Sequence, residues 1–226
     1  MKEEMKSQFG FIDLIDQMGN STSVVNAARV SFGKRHKGPL TEQDKRLIKY
    51  LWNHKHTSPF RHVMFSFHIA APIFILRQWM KHQVGSTFNE MSGRYVEFKN
   101  SFHCPDKFRE APKESIKQGS GDILDLDTQD RAYKAFQFSV NMSHEVYKNL
   151  LEMGVCKEQA RGVLPLSLFS ECIWTVSLQA LIHFLNLRLA KDAQTEIRYY
   201  AEAIKEILEK DEDMKFILGV CLDDKK

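Results

Sequence analysis

The chain has 226 residues, 43% of them hydrophobic and 27% charged, and its 32 Lys and Arg against 29 Asp and Glu leave a net charge of +3. That length suits one domain with a substantial core, which excludes wholesale disorder, and the even charge balance excludes a protein whose main task is coating nucleic acid. No apolar run approaches the ~20 residues of a membrane span, because the longest, Phe65 to Leu76, contains His68 and Pro72 and then meets Arg77, so no membrane partner is expected. Residues 1–16 carry Glu3, Glu4, Asp13 and Asp16, which does not fit a secretory signal. Cys104, Cys156, Cys172 and Cys221 are scattered without metal or redox spacing, and a reduced, cytoplasmic protein with no metal is expected.

In chain order, Ser23 to Val30 reads as a short helix. Thr41 opens a second, with Glu42 and Asp44 in an acidic first turn and Leu47, Ile48 and Leu51 as its buried stripe up to about Lys55. Val63, Phe65, Phe67 and Ile69 then alternate with Met64, Ser66, His68 and Ala70, the period of a strand with one strongly apolar face. Pro72 starts a helix running to about Gln83, and a polar, glycine-containing stretch follows from Gly85 to Gly93. Residues 99–126 read as a long surface excursion with Pro105, Pro112, Gly119 and Gly121. Asp127 to Met153 is one long amphipathic helix, and Ser167 to Val176 a second strand, since Leu168, Cys172, Trp174 and Val176 share one parity. Helices over Leu178–Leu189 and Ala193–Lys210 and a last turn or two over Met214–Leu222 complete an α+β chain: one helix-dominated domain over 1–226 with a small antiparallel sheet.

On the helix from Pro72, Arg77, Gln78, Lys81 and His82 share about a 140° arc opposite Ile73, Leu76, Trp79 and Met80. Taken alone, that is the pattern of a solvated helix face. Just downstream, Asn89-Glu90-Met91-Ser92-Gly93-Arg94-Tyr95 would, if extended, point Glu90, Ser92 and Arg94 to one side. A carboxylate, a hydroxyl and a guanidinium can accept from an N–H, donate to a carbonyl and clamp a phosphate, an inventory that suits a nucleoside monophosphate. The competing reading is a Glu90–Arg94 salt bridge on a surface loop. Gln179, His183 and Asn186 recur at i, i+4 and i+7 on an otherwise apolar helix, with Arg188 close after them, and such a stripe needs a partner: another helix, water or a heterocyclic ligand. His54, His56, His62 and His68 lack a cysteine or carboxylate at ligand spacing, so they do not read as a metal site.

Ala27-Ala28-Arg29-Val30-Ser31-Phe32, His56-Thr57-Ser58-Pro59-Phe60, Pro72-Ile73-Phe74, Arg77-Gln78-Trp79, the 89–95 segment, Arg161-Gly162-Val163-Leu164-Pro165-Leu166 and Phe184-Leu185-Asn186-Leu187-Arg188 follow one another in an order that resembles the flavin-dependent thymidylate synthases. The likeness is dense over residues 9–98 and 159–198. It implies methylation of dUMP at C5 to give dTMP, with methylenetetrahydrofolate as carbon donor, FAD as hydride carrier reduced by NADPH, and no cysteine nucleophile. By the same resemblance, Gln78, Glu90, Ser92, Gly93, Arg94, Arg161 and Arg188 hold dUMP, Ser92 and Arg188 being the catalytic pair. Ser31, His56, Ser58, Lys81, His82, Gln83, Glu90, Ser177, Gln179, His183 and Asn186 surround FAD. The resemblance also implies a homotetramer whose sites are built from more than one subunit.

The chain departs from the family's pattern at the flavin. Where the signature has Arg-His-Arg, seven residues and Ser, this sequence has Lys81-His82-Gln83, eight residues and Ser92. The first charge has lost its planar fork and the second charge is gone. Ser177, Gln179 and His183 likewise stand where Asn, Arg and Asn are more usual. Two other readings compete: a nucleotide- or RNA-binding homologue without flavin chemistry, which the intact Glu90, Ser92, Arg94 and Arg188 argue against, and a helical interaction protein, which leaves the motif order unexplained.

Overall fold

A computed structural model describes residues 9–112 and 119–222. The first eight residues of the acidic N-terminal stretch, 113–118 of the surface excursion and 223–226 lie outside the described residues. Four strands, β1 (Phe11–Met18), β2 (Met64–Pro72), β3 (Ser86–Glu90) and β4 (Phe169–Ser177), form an antiparallel sheet in the order β1-β2-β4-β3. The register sets Phe65 opposite Val176, Phe67 opposite Trp174 and Ile69 opposite Cys172, so the apolar parities of the two central strands fall on one face.

Helices bury that face: α1 (Ser21–Arg29), α2 (Glu42–Asn53), α3 (Ile73–Trp79), α6 (Leu178–Arg188), α7 (Thr195–Leu208) and α8 (Glu212–Cys221). Trp79 is the hub, 5.2 Å from Trp174, 4.9 Å from Phe184 and 5.5 Å from Tyr200 between ring centroids. It anchors α3 to the sheet, and so fixes where the polar residues around it emerge. The other face of the sheet is polar in its middle, where Ser66 bonds Thr175 and His68 Nε2 meets Glu171 Oε2 at 2.9 Å. The 27-residue α4 (Leu126–Glu152) buries only Val140, His144 and Tyr147, and it leads to the short α5 (Lys157–Ala160).

The α+β reading and the two central strands hold, while the structure adds to or departs from the sequence reading at four places. β1 was not anticipated. Asp13, Asp16 and Gln17 dilute its apolar residues, and its register slips between Leu14 and Asp16, which breaks the alternation. Within the polar 85–93 stretch, Ser86–Glu90 pairs with β4 as an edge strand anchored by Phe88. α3 ends at Trp79 rather than Gln83, where His82 N donates to Trp79 O at 2.9 Å and the Ser86 hydroxyl caps His82 O. Finally, the chain is extended only to Glu90. Ser92 O accepts from Tyr95 N and Val96 N at 3.0 and 3.1 Å, so Ser92 and Arg94 lie on a turn.

Candidate active site

At one end of α3, Gln78 meets Arg188, the last residue of α6. Arg188 Nη1 donates to Gln78 Oε1 at 3.3 Å, and its Nε donates to His82 Nε2 at 3.0 Å. Gln78 Nε2 in turn donates to Gln194 Oε1 at 2.7 Å. Arg188 is half-buried, and among the described residues no carboxylate pairs with it. Burial presses its pKa below the ordinary value, and a guanidinium keeps its proton regardless. Burial, then Arg188, then His183 push the His82 pKa down to about 4, so His82 is neutral near pH 7 and its Nε2 offers a lone pair to Arg188. A cavity of about 730 Å³ opens here, lined by Gln78, Arg188, Arg109, Lys191, Gln194 and Thr195.

At the other end of α3, a cavity of about 310 Å³ is lined by Ile73, Glu90, Ser92, Phe98, Arg161 and Leu164. Gly93 makes this site possible. A Cβ there would sit 2.2 Å from Phe98 Cε2 and 3.1 Å from Arg161 Cδ, so only glycine lets the ring and the arginine close over the turn. The Ser92 hydroxyl accepts from Arg94 N at 3.3 Å. Arg94 turns away from Glu90 and pairs with Glu158 of α5 at 3.2 Å, both side chains being more than half exposed, at 55% and 54%.

Each cavity thus collects part of the expected dUMP set, Gln78 and Arg188 in one and Glu90, Ser92 and Arg161 in the other, and they share no lining residue. Ile73 and Gln78, about 7.5 Å apart along α3, separate the two groups. Of the expected flavin residues, Lys81 and Gln83 stand exposed on the turn after α3 beside Val84, which is 91% exposed. His183 is exposed with its ring 6.1 Å from that of His82, and Gln179 is half-buried on the same helix. Ser31, His56 and Ser58 are exposed between α1 and β2, away from both cavities. Two residues have work inside the fold: the Ser177 hydroxyl caps α6 by accepting from Ala180 N, and Asn186 donates to Cys221 O at 3.2 Å. Gln194, Arg109 and Glu158 were missed by the sequence reading. Gln194 and Arg109 stand outside regular elements and Glu158 within a single four-residue helix, where no periodicity marks a polar residue.

The chain resembles known proteins over most of its length. The profile of a family described as thymidylate synthase complementing protein matches residues 13–211. The flavin-dependent thymidylate synthase of Thermosipho africanus is 47% identical over 198 residues, covering 88% of this chain and 85% of that protein. That of Thermus thermophilus is 46% identical over 199 residues, covering 88% of this chain and 71% of that protein. A crystal structure of the UMP/dUMP methylase PolB from Streptomyces cacaoi bound with 5-Br dUMP superposes with a TM-score of 0.82 at 31% identity, covering 92% of this chain and 93% of that one. With the whole of both cavities inside the matched span, the chain belongs to the flavin-dependent thymidylate synthases.

Proposed function

We propose that the protein converts dUMP to dTMP by reductive methylation at C5, taking the carbon from methylenetetrahydrofolate and the hydride from NADPH by way of FAD. The observation that carries this reading is Arg188. It is a half-buried guanidinium whose bonds from Nε and Nη1 go to neutral acceptors, so its charge stays uncancelled, in surroundings where charge acts strongly. Such a group stabilises negative charge developing on a uracil ring, which is what makes C5 nucleophilic. Glu90 and Ser92 bind and orient the nucleotide, and Arg161 and Arg94 take its phosphate, Arg94 after leaving its weak, exposed pair with Glu158.

No cysteine attack enters the reading, and the thiols support that. Burial pushes Cys172 up to about 12 and raises Cys104 and Cys221 as well, while Cys156 lines neither cavity. The Ser92 oxygen accepts from Arg94 N, and the one carboxylate lining the same cavity among the described residues, Glu90, is taken up in binding the nucleotide, so Ser92 polarises rather than attacks. Because the two parts of the dUMP set line separate cavities, we take the working enzyme to be a homotetramer in which one copy's Arg188 meets another copy's Ser92 turn. The exposed apolar stripe Phe138, Met142 and Val146 on α4 supports such an assembly. A cytoplasmic location belongs to the same reading, and no described helix is long and apolar enough to cross a membrane.

The residues fit FAD. Lys81, Gln83, Gln179 and His183 offer a cation and several hydrogen-bonding side chains on the turn after α3 and on α6. Gly85, at φ +71° with room for no Cβ beside the Ser177 hydroxyl at 2.9 Å, lets the turn backbone come close. Bound FAD supplies a carrier for the hydride between NADPH and the one-carbon unit. The balance is dUMP, methylenetetrahydrofolate, NADPH and a proton in, and dTMP, tetrahydrofolate and NADP⁺ out. Purified protein should show a flavin spectrum bleached by NADPH, and it should form dTMP and tetrahydrofolate in equal amounts. Production of dihydrofolate instead, or dTMP without NADPH, would sink the reading.

A further inference from the structure

We infer that Gln194 is a positioning residue for Arg188: it holds the Gln78 amide so that the carbonyl of Gln78, and not its NH₂ group, faces the guanidinium. The inference rests on the function proposed above for the catalytic part, and on geometry alone for the positioning part.

A glutamine amide donates at one end and accepts at the other, and turning it over swaps the two. Arg188 can only donate, so a reversed Gln78 would bring two donors together. Arg188 thus selects the carbonyl end of Gln78, and the group behind Gln78 decides whether the amide is held there from both sides. That group is Gln194 Oε1, 2.7 Å from Gln78 Nε2. Gln194 is itself well placed, being the residue before α7 on the connection that leaves α6 at Arg188. Arg198 ties that connection down by donating to Lys191 O and Ala193 O, each at 2.7 Å, while Arg198 N bonds Gln194 O at 3.1 Å. A closed circuit results: from Arg188 along the chain to Gln194, across to Gln78, and back to Arg188. His82 completes the hold by accepting from Arg188 Nε at 3.0 Å.

Without the Gln194 carbonyl, Gln78 is held from the Arg188 side alone and its amide swings more widely. The guanidinium then strays from the ring it must stabilise, a misplacement that affects turnover more than binding. It also draws away from His82, whose depressed pKa comes from burial, Arg188 and His183, in that order.

The test compares the full chain with Gln194→Met, which keeps the bulk and loses the acceptor, and Gln194→Glu, which keeps an acceptor oxygen. In Gln194→Met, kcat for dTMP formation should fall by about 10-fold or more, with KM for dUMP within about 3-fold and flavin reduction by NADPH unchanged. In the same variant without ligand, the His82 titration followed by NMR should rise above about 4 as Arg188 draws away, while burial still holds it below 6.5. Gln194→Glu should recover most of the turnover. Normal kcat in Gln194→Met, or a lowered kcat with His82 unmoved, overturns the inference, as does failure of Gln194→Glu to recover turnover. If the unmodified protein makes no dTMP, the functional reading fails, and the ligand-free His82 titration alone decides whether Gln194 positions Arg188.

Discussion

The two ends of α3 hold arginines in opposite ways. Arg188 sits half-buried with neutral acceptors on two sides, its direction set before any ligand arrives, whereas Arg94 lies exposed on a turn with its charge spent on Glu158. Fixed, uncancelled charge is what a reaction needs where charge develops, because nothing has to reorganise at that moment. A movable arginine suits a phosphate, which carries its charge throughout and can recruit a partner from solvent. On the function proposed above, this contrast assigns chemistry to the Arg188 end and recognition to the Ser92 end.

Arg188→Ala is the strongest way to break the contrast. It should lower dTMP formation by about 10²-fold or more while NADPH still bleaches the flavin, since that half-reaction never touches the pyrimidine. Equal loss in both half-reactions would return Arg188 to a structural role. The same end carries an acid limit. His82 has a folded pKa of about 4 against an ordinary 6.5, so the unfolded chain takes up a proton that the folded chain refuses between those values. Its contribution to stability is therefore present above about 6.5 and declines as pH falls toward 4. Below about 4 the Nε2 lone pair is lost and Arg188 faces a second cation. The melting temperature should drop across that window more steeply in the native chain than in His82→Asn.

At the Ser92 end, Gly93→Ala is the corresponding break. The added methyl meets Phe98 Cε2 at 2.2 Å, and displacing a packed ring costs about 1–3 kcal/mol. Opening the Phe98 and Arg161 closure should weaken dUMP binding by about 10-fold while leaving NADPH oxidation by the flavin intact. Unchanged dUMP affinity would show that recognition does not depend on this turn.

Why the sequence disclosed one end more fully than the other follows from the same structure. β2 and β4 bury one face each, so their alternation was legible, and Arg188 and Gln78 lie on helices whose apolar stripes were legible too. β3 is a five-residue edge strand with little to bury, and the turn after it follows local hydrogen bonds rather than any period. Hence Glu90, Ser92 and Arg94 could be named by motif while their mutual geometry could not, and Glu158, 64 positions beyond Arg94, could not be foreseen as its partner. Gln194 was hidden for a related reason: its meaning comes from a contact with Gln78 across 116 positions.

The proposed flavin grip sharpens the comparison, since its residues Lys81, Gln83 and His183 are exposed. Lys81 attracts a phosphate without forking onto it, and Gln83 supplies no charge. Titrating FAD into apo-protein should show about fivefold tighter binding for the double change Lys81→Arg, Gln83→Arg than for the native chain. Equal or weaker binding would mean that His183 and Gln179 already replace the lost charge.

The smallest effect tests whether Arg94 is truly the movable arginine. Its pair with Glu158 is exposed on both sides, and such pairs contribute about 0–1 kcal/mol, so dUMP has to break only a weak bond to recruit the guanidinium. Glu158→Gln removes the competitor and should tighten dUMP binding by about twofold at low salt. Salt screens exposed pairs, so the gain should vanish at about 0.5 M ionic strength, where the native pair is already weakened. Weaker binding in Glu158→Gln would mean that Glu158 holds Arg94 ready for the phosphate. The recognition end would then be preorganised like the Arg188 end, and the contrast between the two arginines would be lost.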